Sequence, residues 1–381
     1  MGERYCGALR LPRAKKVDFD SPMKPLAYYI TAHGYGHGTR SCDILAALLR
    51  ARPALVVHVI SDLPRSFLQS RLPQGNLHYR AGGFDVGMVQ LDSIRVDVSA
   101  SLRAARDLLA SWPGRVRQEV EFLRTAGVGA VVADIPGIPL EAARRGGLPN
   151  LAVGNFAWDW IYESLAVDDP AWQPVVEAYR SAYAGCDLLL RLPFHEPMSA
   201  FPRQRDLPLL ARPGRNRREE MARHAQADPA ARWVLLSFTS LDWSERALAQ
   251  ASAIPDTLYF TVRPLAWNRP GFIALDRKSF PYADVMASCD VVVTKPGYGV
   301  LSECAVNGKP IIFVERENFR EYPVLEAAVR RYFQHVHLPA RQLYRGELAE
   351  ALSAIRTAPA PQETLPAGGD DQAAGEILGR L

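Results

Sequence analysis

The stretch Asp290–Glu303, DVVVTKPGYGVLSE, decides how the rest of this 381-residue chain is read. Its opening Asp-Val-Val-Val-Thr has the apolar run of a short buried strand. Thr294-Lys295-Pro296-Gly297-Tyr298-Gly299 breaks that run, and VLSECAVNG resumes with apolar residues at helical spacing, so the break opens a helix N-terminus. Such an end gathers unpaired N–H groups and the positive pole of the helix dipole, and Gly297 and Gly299 let a phosphate approach the main chain. Glu303, further along the helix, is placed to accept hydrogen bonds from a ribose. An ordinary strand-to-helix turn with a solvated Glu303 explains the same residues, so the surrounding pattern has to decide.

The second half around this stretch alternates strands with helices: WVLLSF (Trp233–Phe238) with Thr239 and Ser240 in its turn, then TLYFTV, FIALD, DVVVT and PIIFVER. The first half opens in the same way. LAYYITA (Leu26–Ala32) is a strand, His33-Gly34-Tyr35-Gly36-His37-Gly38-Thr39-Arg40 a glycine-rich loop, SCDILAALLRA a helix, and LVVHVISD a second strand ending at Asp62. The spacing is G-x-G-x-G, not the G-x-G-x-x-G of a dinucleotide site, and two histidines with an arginine do not suit a turn that must admit a pyrophosphate. His-x-x-x-His puts two metal ligands on one face only in a helix, which three glycines disfavour, so no metal is expected. A histidine at the carboxyl edge of a parallel sheet, with a pKa near neutrality, suits a general base; of His33 and His37, one is expected to do no more than hold the loop.

Farther along, Ser99–Ala126 reads as a helix broken at Pro113-Gly114. AVVADIP (Ala130–Pro136) is a strand ending at Asp134, PLEAARRGG a helix and LPNLAVGN a strand. The aromatic run Asn155–Tyr162, which includes Trp158 and Asp159, either packs at the end of the sheet or walls a pocket for a sugar or lipid acceptor. After LLLRLPF (Leu188–Phe194) a Pro- and Arg-rich segment lacks any period.

The expected organisation is therefore a leader (residues 1–25), a first α/β unit (26–200), a linker (201–216), a second α/β unit (217–345) and a helical tail with a mobile loop (346–381). Two doubly wound parallel sheets of this kind would face each other across a cleft, both glycine turns opening into it.

Composition narrows the function classes. Lys plus Arg exceed Asp plus Glu by 45 − 41 = +4, too mild and too dispersed to imply nucleic acid as the partner. The five cysteines (Cys6, Cys42, Cys186, Cys289, Cys304) are scattered and form no C-x-x-C, which fits a reducing compartment. With neither a signal pattern nor an apolar run of about 20 residues, a cytoplasmic protein is expected. Asp18-Phe19-Asp20 precedes the first strand and is read as a chance D-x-D. Arg212–Arg218 suits either a peripheral contact with anionic lipid or a solvated helix start.

KPGYGVLSE resembles the donor motif of inverting GT-B glycosyltransferases, among them the plant UDP-sugar transferases and the bacterial enzyme that adds N-acetylglucosamine in peptidoglycan lipid synthesis. The resemblance implies that Gly297, Tyr298, Gly299 and Val300 contact a diphosphate and Glu303 the ribose. It also implies that Thr239, Ser240 and Lys295 steady the leaving diphosphate and Glu321 touches the donor sugar. GYGHG (Gly34, Gly36 and Gly38, with Thr39 and Arg40 following) is similar to the N-terminal loop of that family, whose histidine is the catalytic base; His37 is the closer match and His33 the second candidate. Asp134, Asn155, Trp158 and Asp159 fall to the acceptor side. Over nearly the whole chain, YYITAHGYGHGTR, NFAWDWIY, RLPFHEPMSAF, TKPGYGVLSE and FVERENFREYPVLE resemble the glycosyltransferase-like region of plant L-arabinokinases, and the match stops short of the sugar-kinase half.

The resemblance implies a glycosyltransferase with a nucleotide-sugar substrate, expected to be a UDP-sugar, a hydroxyl acceptor (small molecule, glycan or lipid), no cofactor and inversion without a metal. Rival readings are a sugar-nucleotide epimerase of the same fold, a nucleotide-sugar-binding module without transfer, and an NAD-dependent oxidoreductase suggested only by the first turn and Asp62.

Overall fold

The computed structural model describes residues 23–89, 96–316 and 320–381. Cys6, Asp18, Phe19, Asp20 and most of the expected leader lie outside the described residues.

The first half begins β1 (Leu26–Ile30), α1 (Tyr35–Ala51), β2 (Val57–Ile60), α2 (Arg65–Arg71), β3 (Leu77–Arg80) and α3 (Val98–Thr125). It continues β4 (Ala130–Asp134), α4 (Gly137–Arg145), β5 (Asn150–Gly154), α5 (Trp158–Ala166), α6 (Gln173–Ala184), β6 (Leu188–Arg191) and β7 (Gln204–Asp206). The second half begins α7 (Arg218–Ala225), β8 (Arg232–Ser237), α8 (Glu245–Ser252), β9 (Thr257–Val262), β10 (Phe272–Leu275) and α9 (Tyr282–Ser288). Then come β11 (Val291–Thr294), α10 (Tyr298–Val306), β12 (Ile311–Phe313), α11 (Tyr322–Tyr332) and β13 (His335–His337). The tail supplies α12 (Ala340–Tyr344), α13 (Ala349–Ala354) and α14 (Gly369–Leu378).

All strand pairings are parallel, in the orders β3-β2-β1-β4-β5-β6-β7 and β10-β9-β8-β11-β12-β13. Parallel strands need covered crossovers, and the central ones are apolar throughout: β1, β4 and β5 are buried at every position. In each sheet the order reverses at one place, between β1 and β4 and between β8 and β11. Ligands of such sheets bind at the carboxyl ends of the strands flanking that reversal.

Several expected boundaries shift. The stretch expected as linker contributes β7, which pairs with β6 at the edge of the first sheet. The expected break at Pro113 does not occur: α3 runs unbroken for 28 residues. Its buried face, Ala105, Leu108, Trp112, Val116 and Leu123, stays continuous across the proline, so packing outweighs the lost backbone hydrogen bond. The stretch expected as a mobile loop is fastened at both ends, with Gln362 N donating to the Arg331 carbonyl (3.0 Å) and Leu209 N to the Pro366 carbonyl (2.9 Å). Helix α14 then crosses back to the first half, where Ala373, Ala374 and Ile377 join a core with Ile44, Leu45 and Leu48 of α1.

Gly369 makes that return possible, because any Cβ there would overlap the Pro208 carbonyl oxygen. Gly369→Ala is expected to cost about 1–3 kcal/mol of stability through that overlap. A lower urea midpoint at unchanged slope is the measurement that checks it.

Candidate functional site

The first turn is built by register. Ile30 of β1 pairs with Asp134 of β4, so the loop leaving β1 and the last residue of β4 share one edge of the sheet. Gly34 caps α1 with φ 123°, a conformation that glycine adopts without strain, and the helix starts at Tyr35. The helix therefore begins earlier than the sequence suggested and takes in Gly36, His37, Gly38, Thr39 and Arg40. Gly38 does not face a ligand: a Cβ there would lie 2.6 Å from both Leu63 and Phe67, so this glycine lets α1 approach the α2 region. Gly34 and Gly36 have open space at the same position.

His37 is 9% exposed and its Nδ1 lies 2.8 Å from Asp134 Oδ1. Asp134 also accepts from Arg40 Nε (2.7 Å) and from the Ser41 hydroxyl (2.9 Å). Burial alone would raise the Asp134 carboxyl, yet Arg40 and His37 hold it well below the usual carboxylate range. Nδ1 faces both Asp134 Oδ1, which only accepts, and Arg40 Nη2 at 2.9 Å, which only donates; the tautomer with the ring proton on Nδ1, bonded to the carboxylate, leaves Nε2 as the lone-pair nitrogen. Burial and the Arg40 charge outweigh Asp134 and lower the pKa of His37, which keeps it neutral at pH 7.

Asp134 and Asn155, expected on the acceptor side, lie beneath this ring. Asp134 is fully buried, and Asn155, 2% exposed, accepts from Arg40 and donates to the Pro193 carbonyl. Trp158 is likewise a buried ring and not a pocket wall; its Nε1 donates to Asp85 Oδ2 at 2.9 Å.

His33 belongs to a second pair. Its Nε2 stands 3.3 Å from Asp85 Oδ1, and the Thr31 hydroxyl donates to the same oxygen at 2.7 Å. Burial would raise Asp85, but these donors and Trp158 hold it below its ordinary value. Burial would lower His33, and Asp85 more than reverses that. Sequence reasoning missed Asp85, for which the only signal was a lone acid between glycines in Gly82–Gly87. Asp85→Asn is expected to drop the pKa of His33 below 6.5, because the burial stays while the charge and the strong acceptor go; an NMR titration of the His33 ring reads it. The raised pKa also means that the pair's stabilising contribution is full below about pH 6.5 and fades as pH rises through the folded value.

In the second half, Thr294 of β11 pairs with Ser237 of β8, bringing their following turns to one edge. Thr239 and Ser240 are exposed there, and Lys295 is half-buried. Gly297 caps α10 without a side-chain hydrogen bond, no acid occupies the first helical turn, and Gly299 has open space where a Cβ would be. Val300 lies half-buried in that first turn. Glu303 Oε2 is buried with no partner among the described residues, and burial pushes its carboxyl up to about 7, opposed by Arg71. Glu321 caps α11, 8% exposed, and burial brings it to about 7 as well.

The two turns meet at one seam. The Tyr298 ring stacks on Phe156 (5.9 Å between centroids, 19° between planes), and Phe156 meets His37 edge-on at 5.7 Å. Arg320 lies 4.6 Å over Trp160 and 3.3 Å from Glu163, a second contact between the halves. A cavity of about 610 Å³ lies elsewhere, between β3 and α3, lined by Arg80, Gly83, Arg115, Gln118 and Glu119; it holds none of the candidate catalytic or binding residues.

No family model matches the chain. It is 29% identical over 358 residues to L-arabinokinase of Arabidopsis thaliana, covering 91% of this chain and 33% of that protein. The chain thus spans about a third of the length of that curated relative. Among solved structures it resembles the glycotransferase of kitacinnamycin with a TM-score of 0.65 and 16% identity, covering 94% of this chain and 100% of that one. A UDP-glucosyltransferase from Polygonum tinctorium capable of glucosylating indoxyl gives a TM-score of 0.61 at 15% identity, covering 95% and 99%. Arabidopsis thaliana UGT89C1, complexed with UDP-L-rhamnose, gives 0.56 at 14%, covering 94% and 99%. With its two facing sheets, the chain has the GT-B glycosyltransferase fold.

Proposed function

We propose that this chain transfers a sugar from a UDP-sugar to a hydroxyl acceptor, with inversion at the anomeric carbon. The observation that carries the reading is the pairing of His37 with Asp134 at one sheet reversal, brought to the same seam as the uncapped α10 N-terminus of the other. The acceptor oxygen, losing its proton to His37 Nε2, forms the new bond to the anomeric carbon as the bond to the diphosphate oxygen breaks. UDP departs with that electron pair. Asp134 fixes the tautomer of His37 and offsets the charge of the imidazolium that forms, while Arg40 holds Asp134 ionised. The α10 amides at Gly297–Val300 stabilise the departing diphosphate, with the exposed turn residues Thr239 and Ser240 and the half-buried Lys295 at the same edge. The choice of UDP follows the similar folds whose bound or named donors are UDP-sugars.

The Phe156–Tyr298 stack fills the path between His37 and the turn, so transfer requires the halves, or the Tyr298 ring, to move apart. The same stack favours a second reading, a module that binds the nucleotide sugar and consumes nothing. An epimerase would alter the sugar with no acceptor present.

A thermal-shift screen over nucleoside diphosphates and nucleotide sugars tests the binding step, since a ligand at 100 times its Kd adds about 2.7 kcal/mol of stability. UDP and at least one UDP-sugar are expected to raise Tm. Stabilisation by NAD alone would end the proposal, and stabilisation without any UDP release or sugar conversion would leave the binding module.

A further inference from the structure

Two acids of the first half reach the seam with an oxygen to spare. Glu196 follows β6 and is 2% exposed; Asp159 stands in the first turn of α5 and is 6% exposed. The main chain fixes Glu196 firmly, its N–H donating to the Asn155 carbonyl (3.0 Å) and its Oε2 accepting from Met198 N (2.6 Å). Its Oε1 is buried and has no partner among the described residues, and the same is true of Asp159 Oδ1. The other Asp159 oxygen stands 3.9 Å from Arg180 Nε.

Across the seam the Tyr298 hydroxyl is buried beside the Glu321 carboxyl. Burial, together with the carboxyls of Glu321 and Glu196, pushes that hydroxyl well up. Glu196 in turn feels Asp159 as a like charge. Glu196 is bonded to Asn155, the residue before Phe156, and Tyr298 stacks on Phe156, so Asp159, Glu196, Tyr298 and Glu321 line one belt from the first half to the turn next to Gly297. Folded proteins pair nearly all buried polar atoms, so two unpaired carboxyl oxygens at a domain seam, Glu196 Oε1 and Asp159 Oδ1, mark a place where something else supplies the partner.

The chemistry of the belt selects that partner. An anion would meet three carboxyls. A metal ion needs converging ligands, and among the described residues no group of three or more His, Cys, Asp or Glu could hold one. Burial pushes Glu196 up to about 7 and Asp159 up to about 6, so near neutrality Glu196 can donate as well as accept while Asp159 mainly accepts. Groups that do both match hydroxyls, and several hydroxyls in a row are a sugar ring.

We infer that the first half reads the sugar being transferred, whose hydroxyls lie against Glu196 Oε1 and Asp159 Oδ1 while Tyr298 and Glu321 close the other side. This assignment rests on the proposed function, since it takes the 297–299 turn as the diphosphate seat. It makes the sugar, and not the nucleotide, the part of the donor that bridges both halves.

Isothermal titration of the full chain with UDP, UDP-glucose, UDP-galactose and UDP-xylose tests it, in the wild type and in Glu196→Gln and Asp159→Asn. In the wild type at least one UDP-sugar is expected to bind tenfold or more tighter than UDP. Each variant should lose most of that increment and keep the wild-type affinity for UDP, which also certifies its fold. Should one variant lose UDP binding, the other decides; loss of UDP binding in both marks the acids as structural and overturns the inference. It is also overturned by a wild type that binds UDP as tightly as every UDP-sugar, or by variants with the full sugar preference. A wild type that binds none of the four probes overturns the proposed function as well.

Discussion

His37→Ala lowers UDP release from the preferred UDP-sugar by about 10²–10⁴-fold while leaving the Kd for UDP within twofold of the wild type, the range expected when a positioned general base is removed. The split follows from the structure, where His37 belongs to the first half and the diphosphate seat to the second. Asp134→Asn is expected to fall nearly as far for a different reason: an amide oxygen can still accept from Nδ1, but it carries no charge to offset the imidazolium. The pH profile separates the two roles. Burial and Arg40 lower the pKa of His37, so the wild-type rate should hold below pH 6.5 and decline only at the lower pH where the ring takes up a proton. Near-normal turnover in His37→Ala would remove it from the base role and turn attention to His33, whose pKa is shifted the other way.

Glu303→Ala weakens UDP binding by roughly 10- to 100-fold, the equivalent of about 1.5–3 kcal/mol for hydrogen bonds to a charged group. Glu303 waits with an unpaired, buried oxygen, and ribose hydroxyls would supply the missing donors. Its raised pKa adds a sign that can be checked. The ionised carboxylate is the better acceptor and is present above about pH 7, so UDP affinity in the wild type should fall as pH drops from 8 to 6. Glu303→Gln should make that dependence shallower, because it removes the titrating group that meets the ribose while Glu321 and the UDP phosphate still titrate in this range. Calorimetry across this range reads both effects, and a Kd that ignores pH and substitution alike would retire the ribose assignment.

Much of the architecture was legible because parallel strands carry their burial in their letters. LAYYI, AVVAD and VVVT are continuous apolar runs followed by turns, and each is a central strand. The strands that escaped notice sit at or near edges: β3 reads LHYR, β7 QRD and β13 HVH, with no buried face to impose a pattern. Pro113 misled because a proline's local cost is visible in the sequence whereas the packing that absorbs it is not.

At the candidate site, His37, Gly297 and Glu303 were singled out by loop composition. Their supports were not, since Asp134, Asn155 and Trp158 were placed facing a ligand when each lies below the surface holding something else. Asp85 and Glu196 went unassigned, because what singles them out is an oxygen with, or without, a neighbour 50 or more residues away along the chain.

The return of α14 to the first half has a consequence for anything joined to the end of this chain. Leu381 packs near Gly129 and Lys24, at the amino ends of the central strands and so on the floor opposite His37. A domain fused there would hang from the half that carries the base, leaving the mouth of the seam unobstructed. Because the polypeptide passes between the halves twice, near Leu209 and again near Pro366, and the two crossings are hydrogen-bonded to each other, the halves are held by a doubled connection.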